Sequence, residues 1–240
     1  MFIGYPFSGH SLIGSLLDAH PEAIIAHELD TLGLIQAGFS KRQIFYLLLH
    51  NSRNFASAGR TWMDYSYAVP NQWQGRFTRL RIIGDKKGSA STKRLHYNPD
   101  LLQLLRDTID VRIKFIHVLR NPYDNISTVS LRRRWDLRQS IEYYFSLCKT
   151  VAEIKKKIEP RDLLDVRHES VIEDPKSFLR QLCSFLGLEA SKDYLQDCAG
   201  IVFKSPHKSR HDVEWNPELI NFVKDKIEKV SFLSGYSYET

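Results

Sequence analysis

Short, unbroken apolar runs alternate along the chain with longer amphipathic stretches. MFIG (1–4), AIIA (23–26), RIIG (81–84), KFIHVL (114–119) and LLDV (163–166) are the apolar runs. Their length and the lack of polar alternation predict strands buried on both faces. LIGSLLDA (12–19) places Leu12, Ile13, Leu16 and Leu17 on one helical face. His20-Pro21 closes that helix, because a residue before proline avoids the α region. Ser40-Lys41-Arg42-Gln43 reads as a capping box that opens a helix through FYLLLHN. Asn98-Pro99 predicts the start of a helix through PDLLQLLRD, with proline at its first position. After KFIHVL a long helical region breaks near Trp135 and resumes through SIEYYFSLCKTVAEIKKKI. Asp174-Pro175 opens KSFLRQLCSFL, which Gly187 stops, and Asn216-Pro217 starts a last helix.

Strands of this kind between long helices predict βαβ units. The expected fold is α/β, of the P-loop type in three layers, with a mostly parallel sheet of about five strands flanked by helices. One domain over residues 1–240 accounts for the whole chain. Ligands of such sheets gather outside the carboxyl ends of the strands. GYPFSGHS (4–11), His27-Glu28, Asp85-Lys86-Lys87 and Arg120 each follow a predicted strand, so they are expected to converge on one edge.

Composition narrows this picture only a little. Hydrophobic residues make up 42% of the chain and charged residues 26%, as in ordinary globular proteins. The formal net charge of +6 favours an anionic ligand, but on charge alone nucleic acid, a membrane surface and a phosphorylated cofactor all stay open. Cys148, Cys183 and Cys198 form no C-x-x-C pair, which suits a reducing, cytoplasmic setting. FYLLL (45–49) is too short to span a bilayer, and no charged segment followed by an apolar stretch marks a signal peptide. No membrane and no nucleic-acid partner is expected.

GYPFSGHS has the spacing of a Walker-type loop, G-x-x-x-x-G-K-S/T, with His10 where the lysine belongs. Backbone N–H groups from Phe7 through Ser8, Gly9 and His10 to Ser11 can cradle a phosphate where the loop enters a helix. The lysine that would reach the outer phosphates of a nucleoside triphosphate is missing. No strand offers a convincing carboxylate for magnesium either, since Asp85 is followed by Lys86 and Lys87. No metal is expected.

The run YPFSGHSLIGSLLDAHPE resembles the opening of the PAPS-dependent sulfotransferases, whose loop commonly reads Pro, Lys or Arg, Ser-Gly, then two Ser/Thr residues. FIHVLRNPYDNIST is similar to their second motif. VRHESVIEDPKSFLRQLCSFLGL is similar to a third block, and KSRHDVEWNPELI to the ending of many bacterial members. The first half is most like the tyrosylprotein and carbohydrate branches, which share L-D-A-H-P followed by a carboxylate.

The resemblance implies 3′-phosphoadenosine 5′-phosphosulfate (PAPS) as cofactor. The acceptor hydroxyl would belong to a small molecule, a glycan or a peptide, whether carbohydrate, phenol or tyrosine-like. Ser8 and Ser11 with the loop N–H groups would hold the 5′-phosphosulfate. Arg120 would take the 3′-phosphate with Thr128, where the family has serine, and with neighbouring Ser127. Arg132 is a candidate second contact, although Arg132-Arg133-Arg134 also reads as a solvated charge run. Lys208 and Arg210 fall where a family loop folds over the cofactor. Glu28 stands where the tyrosylprotein branch carries its base, with His27 as the competing base. Lys86, or Lys87 one residue on, would touch the leaving-group oxygen.

Two further positions depart from the family. Phe7 replaces the usual Lys or Arg, and a protonated His10 is the residue that could make up the lost charge. His168 stands where tyrosine is common. His207 and His211 have H-x-x-x-H spacing but read as part of a solvated basic loop rather than as a zinc site. YSYAVPNQWQGRFTRLR (65–81) reads first as a packed loop whose aromatics serve the core, with an acceptor-pocket lining as the alternative. Two rival functions remain: a P-loop nucleotide kinase or NTPase, and a catalytically weak nucleotide-binding relative, for which Phe7 is the best support.

Overall fold

A computed structural model describes all residues, 1–240. In chain order it contains β1 (Phe2–Gly4), α1 (His10–Asp18), β2 (Ala23–His27), α2 (Thr31–Gln36), α3 (Lys41–Ser57), β3 (Thr61–Trp62), β4 (Tyr65–Ser66), β5 (Ile82–Lys86) and α4 (Gly88–Tyr97). It continues with α5 (Leu101–Ile109), β6 (Phe115–Leu119), α6 (Pro122–Arg133), α7 (Leu137–Lys156), β7 (Leu163–Arg167), α8 (His168–Glu173), α9 (Pro175–Leu186), α10 (Lys192–Gly200) and α11 (Pro217–Glu228).

All five apolar runs form strands, and all five pair in parallel. They do not join in one hydrogen-bonded sheet. β1, β6 and β7 form a three-stranded unit in the order β1-β6-β7, and β2 pairs with β5 alone. At the carboxyl end of β1 the Gly4 N–H is taken by the Thr92 hydroxyl of α4, at 2.8 Å, rather than by a strand. An apolar cavity of about 510 Å³, lined by Phe2, Leu17, Ile25, Ile83 and Ile116 among others, is shared by the two units. β3 and β4 add a small antiparallel hairpin that the hydrophobic pattern does not announce.

Strand alternation sorts the core into two clusters, as the period of two requires. Ile3, Tyr5, Phe115 and Leu119 pack with Leu102, Leu105, Tyr144 and Val151 on one face. Phe2, Ile116, Val118 and Val166 pack with Leu12, Leu16, Leu179 and Leu182 on the other. Helices therefore cover both faces, giving three layers. Cys148, Cys183 and Cys198 are free thiols buried within these clusters. No helix is long and apolar enough to cross a membrane.

Several boundaries differ from the sequence expectation. β5 runs to Lys86, so Asp85 and Lys86 end the strand instead of following it. Asn98 ends α4 rather than opening the next helix, and α5 starts at Leu101 behind Asp100. The capping box at Ser40 and Gln43 is present, with both hydrogen bonds made. Asn216 and Asp174 accept from backbone N–H groups at the starts of α11 and α9, and Gly187 ends α9 in the left-handed conformation.

The L-D-A-H-P segment has a structural role. The buried Asp18 carboxylate accepts from the Ile25 N–H, the Ser52 hydroxyl, the Gly75 N–H and Arg60, the last at 2.7 Å. One carboxylate thus ties α1 to β2, to α3 and to the loop after the hairpin, and so fixes the frame behind the loop at 4–11.

Candidate active site

The loop between β1 and α1 turns through two left-handed residues, Phe7 at φ 60° and Gly9 at φ 96°. Gly9 is the N-cap of α1 and no side chain caps the helix. The first N–H groups of a helix lack intrahelical partners, so these stay available to an anion. A side chain at Gly9 would be strained by its φ and would put a Cβ 2.2 Å from the His168 ring. Only glycine lets that ring lie over the loop.

His10 does not carry the charge expected of it. Its Nε2 is 3.1 Å from the Ile3 carbonyl, which can only accept, so Nε2 bears the hydrogen. Nδ1 lies 2.9 Å from the Ser8 hydroxyl, whose one hydrogen is shared between Nδ1 and the Tyr5 carbonyl, 3.0 Å away. Burial pushes the ring down to about 3, and it is neutral. The ring fills a slot between Gly4 and Gly88, where added Cβ atoms would lie 3.2 and 2.4 Å from Nε2. His10 braces the loop from beneath, and Ser8, itself fully buried, turns inward with it.

Lys86 brings the predicted sites together. Its ammonium donates to Glu28 Oε1 at 2.6 Å and to the Ser11 hydroxyl at 3.0 Å. The stem crosses α1 at Gly14, where a Cβ would come within 2.7 Å of it. Burial lowers the Lys86 pKa, and the adjacent Glu28 carboxylate opposes that shift. Lys87 reaches the same glutamate, donating to its carbonyl at 3.1 Å with Nζ 3.5 Å from Oε2. Glu28 itself sits at φ 59°, a conformation uncommon for its residue type, just past the end of β2. Parallel pairing of His27 with Lys86 sets the two side by side. The His27 ring stacks on Phe55 at 4.0 Å, and burial followed by the Lys86 charge pushes it down to about 3.

Arg120 follows β6 and joins three segments. Nη1 donates to the Phe7 carbonyl and to the Thr128 hydroxyl, both at 3.2 Å. Nη2 donates to the His207 carbonyl at 2.7 Å and to the Ser209 hydroxyl at 2.9 Å. Ser209 was not legible as a site residue; a serine in a basic loop carries no signal of its own. Ser127 turns away from Arg120, donating to the Tyr123 carbonyl and accepting from Trp215. Arg132 and Lys208 are exposed. Arg210 is almost fully buried, and its guanidinium is bound to Asp124 at 2.7 Å and to the Tyr238 carbonyl at 2.5 Å. These bonds anchor the C-terminal segment to α6 and engage every guanidinium nitrogen of Arg210 within the protein. His207 contacts Ser209, and His211 packs edge-on to Tyr238. His168 has a buried Nδ1 without a partner, and burial with the nearby Arg120 charge pushes the ring down to about 4.

The stretch at 65–81 divides in two. Gln74 accepts from the Val69 N–H and donates to the Tyr67 and Ser15 carbonyls, so this part is packed as expected. The hairpin before it is not. Met63 and Asp64 both have positive φ, the requirement of a two-residue type I′ turn. Trp62 and Tyr65 remain exposed on it, Trp62 edge-on to His27 at 5.0 Å and Tyr65 edge-on to Phe203 at 5.7 Å.

The family model described as Sulfotransferase family matches residues 1–192. The sulfotransferase domain from the curacin biosynthetic pathway aligns with a TM-score of 0.59 at 14% identity, over 96% of this chain and 96% of that one. The sulfotransferase of Alicyclobacillus acidocaldarius aligns at 0.52 and 18%, over 97% of this chain and 94% of that one. The sulfotransferase domain of the Synechococcus PCC 7002 olefin synthase gives 0.52 and 17%, over 92% and 81%. These structural likenesses are likenesses of fold. No curated protein matches the chain.

Proposed function

The chain belongs to the sulfotransferase family, and from that membership we propose that it transfers a sulfuryl group from PAPS to an acceptor hydroxyl in the cytoplasm. The observation that carries this reading is the Lys86 ammonium held between Glu28 and Ser11 at the mouth of the loop.

The residues fit the donor. Uncapped N–H groups at the start of α1, the Ser11 hydroxyl, Lys86 and Arg120 form an anion-binding set. PAPS supplies an activated sulfuryl group on a phosphate. The N–H groups and Ser11 would hold the 5′ end. Arg120 and Thr128 would take the 3′-phosphate, in competition with the His207 carbonyl that now accepts from Nη2. Glu28 would remove the acceptor proton, since His27 at about 3 is too weak a base to share that task. Lys86 places positive charge where negative charge develops on the leaving oxygen, usually the largest catalytic contribution. Phe7 offers no charge, which leaves Lys86 as the cation of the cradle.

A kinase mechanism lacks its central group, because His10 is neutral and turned into the core. The test is incubation with sulfur-labelled PAPS and a mixed panel of phenols, sugars and tyrosyl peptides. Label should appear on at least one hydroxyl compound. Label released only as free sulfate, at a rate unchanged in Lys86→Met, would contradict the proposal.

A further inference from the structure

Exposed aromatic side chains gather on the open side of the Glu28–Lys86 pair. Trp62 and Tyr65 are direct cross-strand partners, so both project from one face of the hairpin, and Tyr67 continues the alternation on that face. Trp62 meets His27, the neighbour of Lys86, and Tyr67 lies beside Ser11. Tyr65 pairs with Phe203, brought in from the segment after α10. Trp62 is 42% exposed, Tyr65 45% and Phe203 49%, far more than packing against the core would leave. Contiguous apolar surface left in water marks a binding site, and this patch borders the predicted base.

Resting on the sulfuryl-transfer reading of this site, we propose that the acceptor is a phenol whose planar ring lies against the wall of Trp62, Tyr65, Tyr67 and Phe203. Two features favour a phenol over a sugar. The rings of this wall meet edge to face, at 69° for Trp62 with His27 and 78° for Tyr65 with Phe203, leaving ring faces for a further planar ring. The site also supplies more positive charge than free base. Glu28 is already shared by two ammonium groups, and His27 is pushed down to about 3. A phenol, losing its proton near pH 10 in water (roughly, as tyrosine does), needs less help than a sugar hydroxyl, and Lys86 and Lys87 favour the phenolate. The phenol oxygen forms the new sulfur–oxygen bond as the bond from sulfur to the donor's phosphate oxygen breaks. The phenolic proton passes to Glu28, and an aryl sulfate and the 3′,5′-bisphosphate leave.

The probes are 2-naphthol, its saturated counterpart decahydro-2-naphthol, and methyl β-glucoside, titrated calorimetrically with and without adenosine 3′,5′-bisphosphate. 2-Naphthol should bind at least about tenfold tighter than either of the others, and Trp62→Ala and Tyr65→Ala should each weaken it about tenfold. Both side chains are on the surface, and Trp62→Ala should leave the affinity for the bisphosphate unchanged. Equal binding of the planar and saturated alcohols, unchanged naphthol affinity in both variants, or no naphthol binding would overturn the phenol assignment. Failure of the bisphosphate to bind would instead remove the donor reading, while the naphthol series without nucleotide still decides the wall.

Discussion

The Lys86 ammonium lies 2.6 Å from the Glu28 carboxylate, across two parallel strands whose last residues pair. A proton acceptor and a fixed positive charge are thus held at one strand edge by β-sheet register, with Ser11 of the loop as the third corner. Removing either charge should affect chemistry more than the fold.

Glu28→Gln keeps the shape and removes the basic oxygen. It should lower kcat about a hundredfold or more while leaving the affinity for adenosine 3′,5′-bisphosphate unchanged. Lys86→Met keeps the stem that crosses Gly14 and should lower kcat by a similar factor. Single-turnover rates with saturating donor check both.

Phe7→Lys supplies a cation at the loop position that now has none. Turnover should rise about tenfold or more, because a charged donor is added where the proposed donor would place its sulfuryl group. The backbone there is already left-handed at φ 60°, so the exchange adds no new strain of its own. Lost bisphosphate binding in a folded Phe7→Lys protein would place the phosphosulfate elsewhere.

Arg210 and Asp124 form an ion pair with side chains only 1% and 2% exposed. Breaking it from one side leaves a buried charge without a partner, at a cost of about 3–5 kcal/mol. Arg210→Met should lower the urea midpoint accordingly. A stable variant that had lost nucleotide affinity would instead make Arg210 a ligand contact.

Four buried histidines make the fold sensitive to acid: His10, His27, His168 and His117, whose ring burial also holds below its ordinary value. His10 and His27 titrate near 3 and His168 near 4 in the folded chain, all because burial disfavours their charged forms. Unfolded histidine titrates at about 6.5, so between these values the unfolded chain binds more protons and stability rises with pH. The stabilisation is full above about pH 6.5 and falls on acidification by up to about 1.4 kcal/mol per pH unit for each ring. Urea midpoints should therefore drop steadily from pH 7 to pH 5. His10→Asn, compared with the parent over the same range, should show a shallower slope.

The parallel α/β frame was legible because its strands are continuous apolar runs and its caps are strong local signals, as at Ser40, Asp174 and Asn216. Helices without such signals were missed. GSASTKRLHY, which forms α4, opens on glycine and small polar residues and shows no broad apolar face. Asn98-Pro99 looked like a helix start because a helix end before proline uses the same residues. Convergence of Glu28, Lys86 and Ser11 followed from the rule that parallel strands present their carboxyl ends together. The orientation of individual side chains did not follow from it. His10 and Arg210 look like ligand-binding cations in a string of letters, and only the positions of the Ile3 carbonyl and Asp124 show them turned inward. The exposure of Trp62 and Tyr65 depends on a hairpin turn at Met63-Asp64, which lacks the glycine that usually marks such a turn.

The donor site decides the proposed activity, and calorimetry with two nucleotides tests it. Adenosine 3′,5′-bisphosphate should bind at least tenfold tighter than AMP, because a charged hydrogen bond from Arg120 is worth about 1.5–3 kcal/mol. Arg120→Met should bring the two affinities together. Equal affinities in the parent protein, or a preference that survives Arg120→Met, would contradict it.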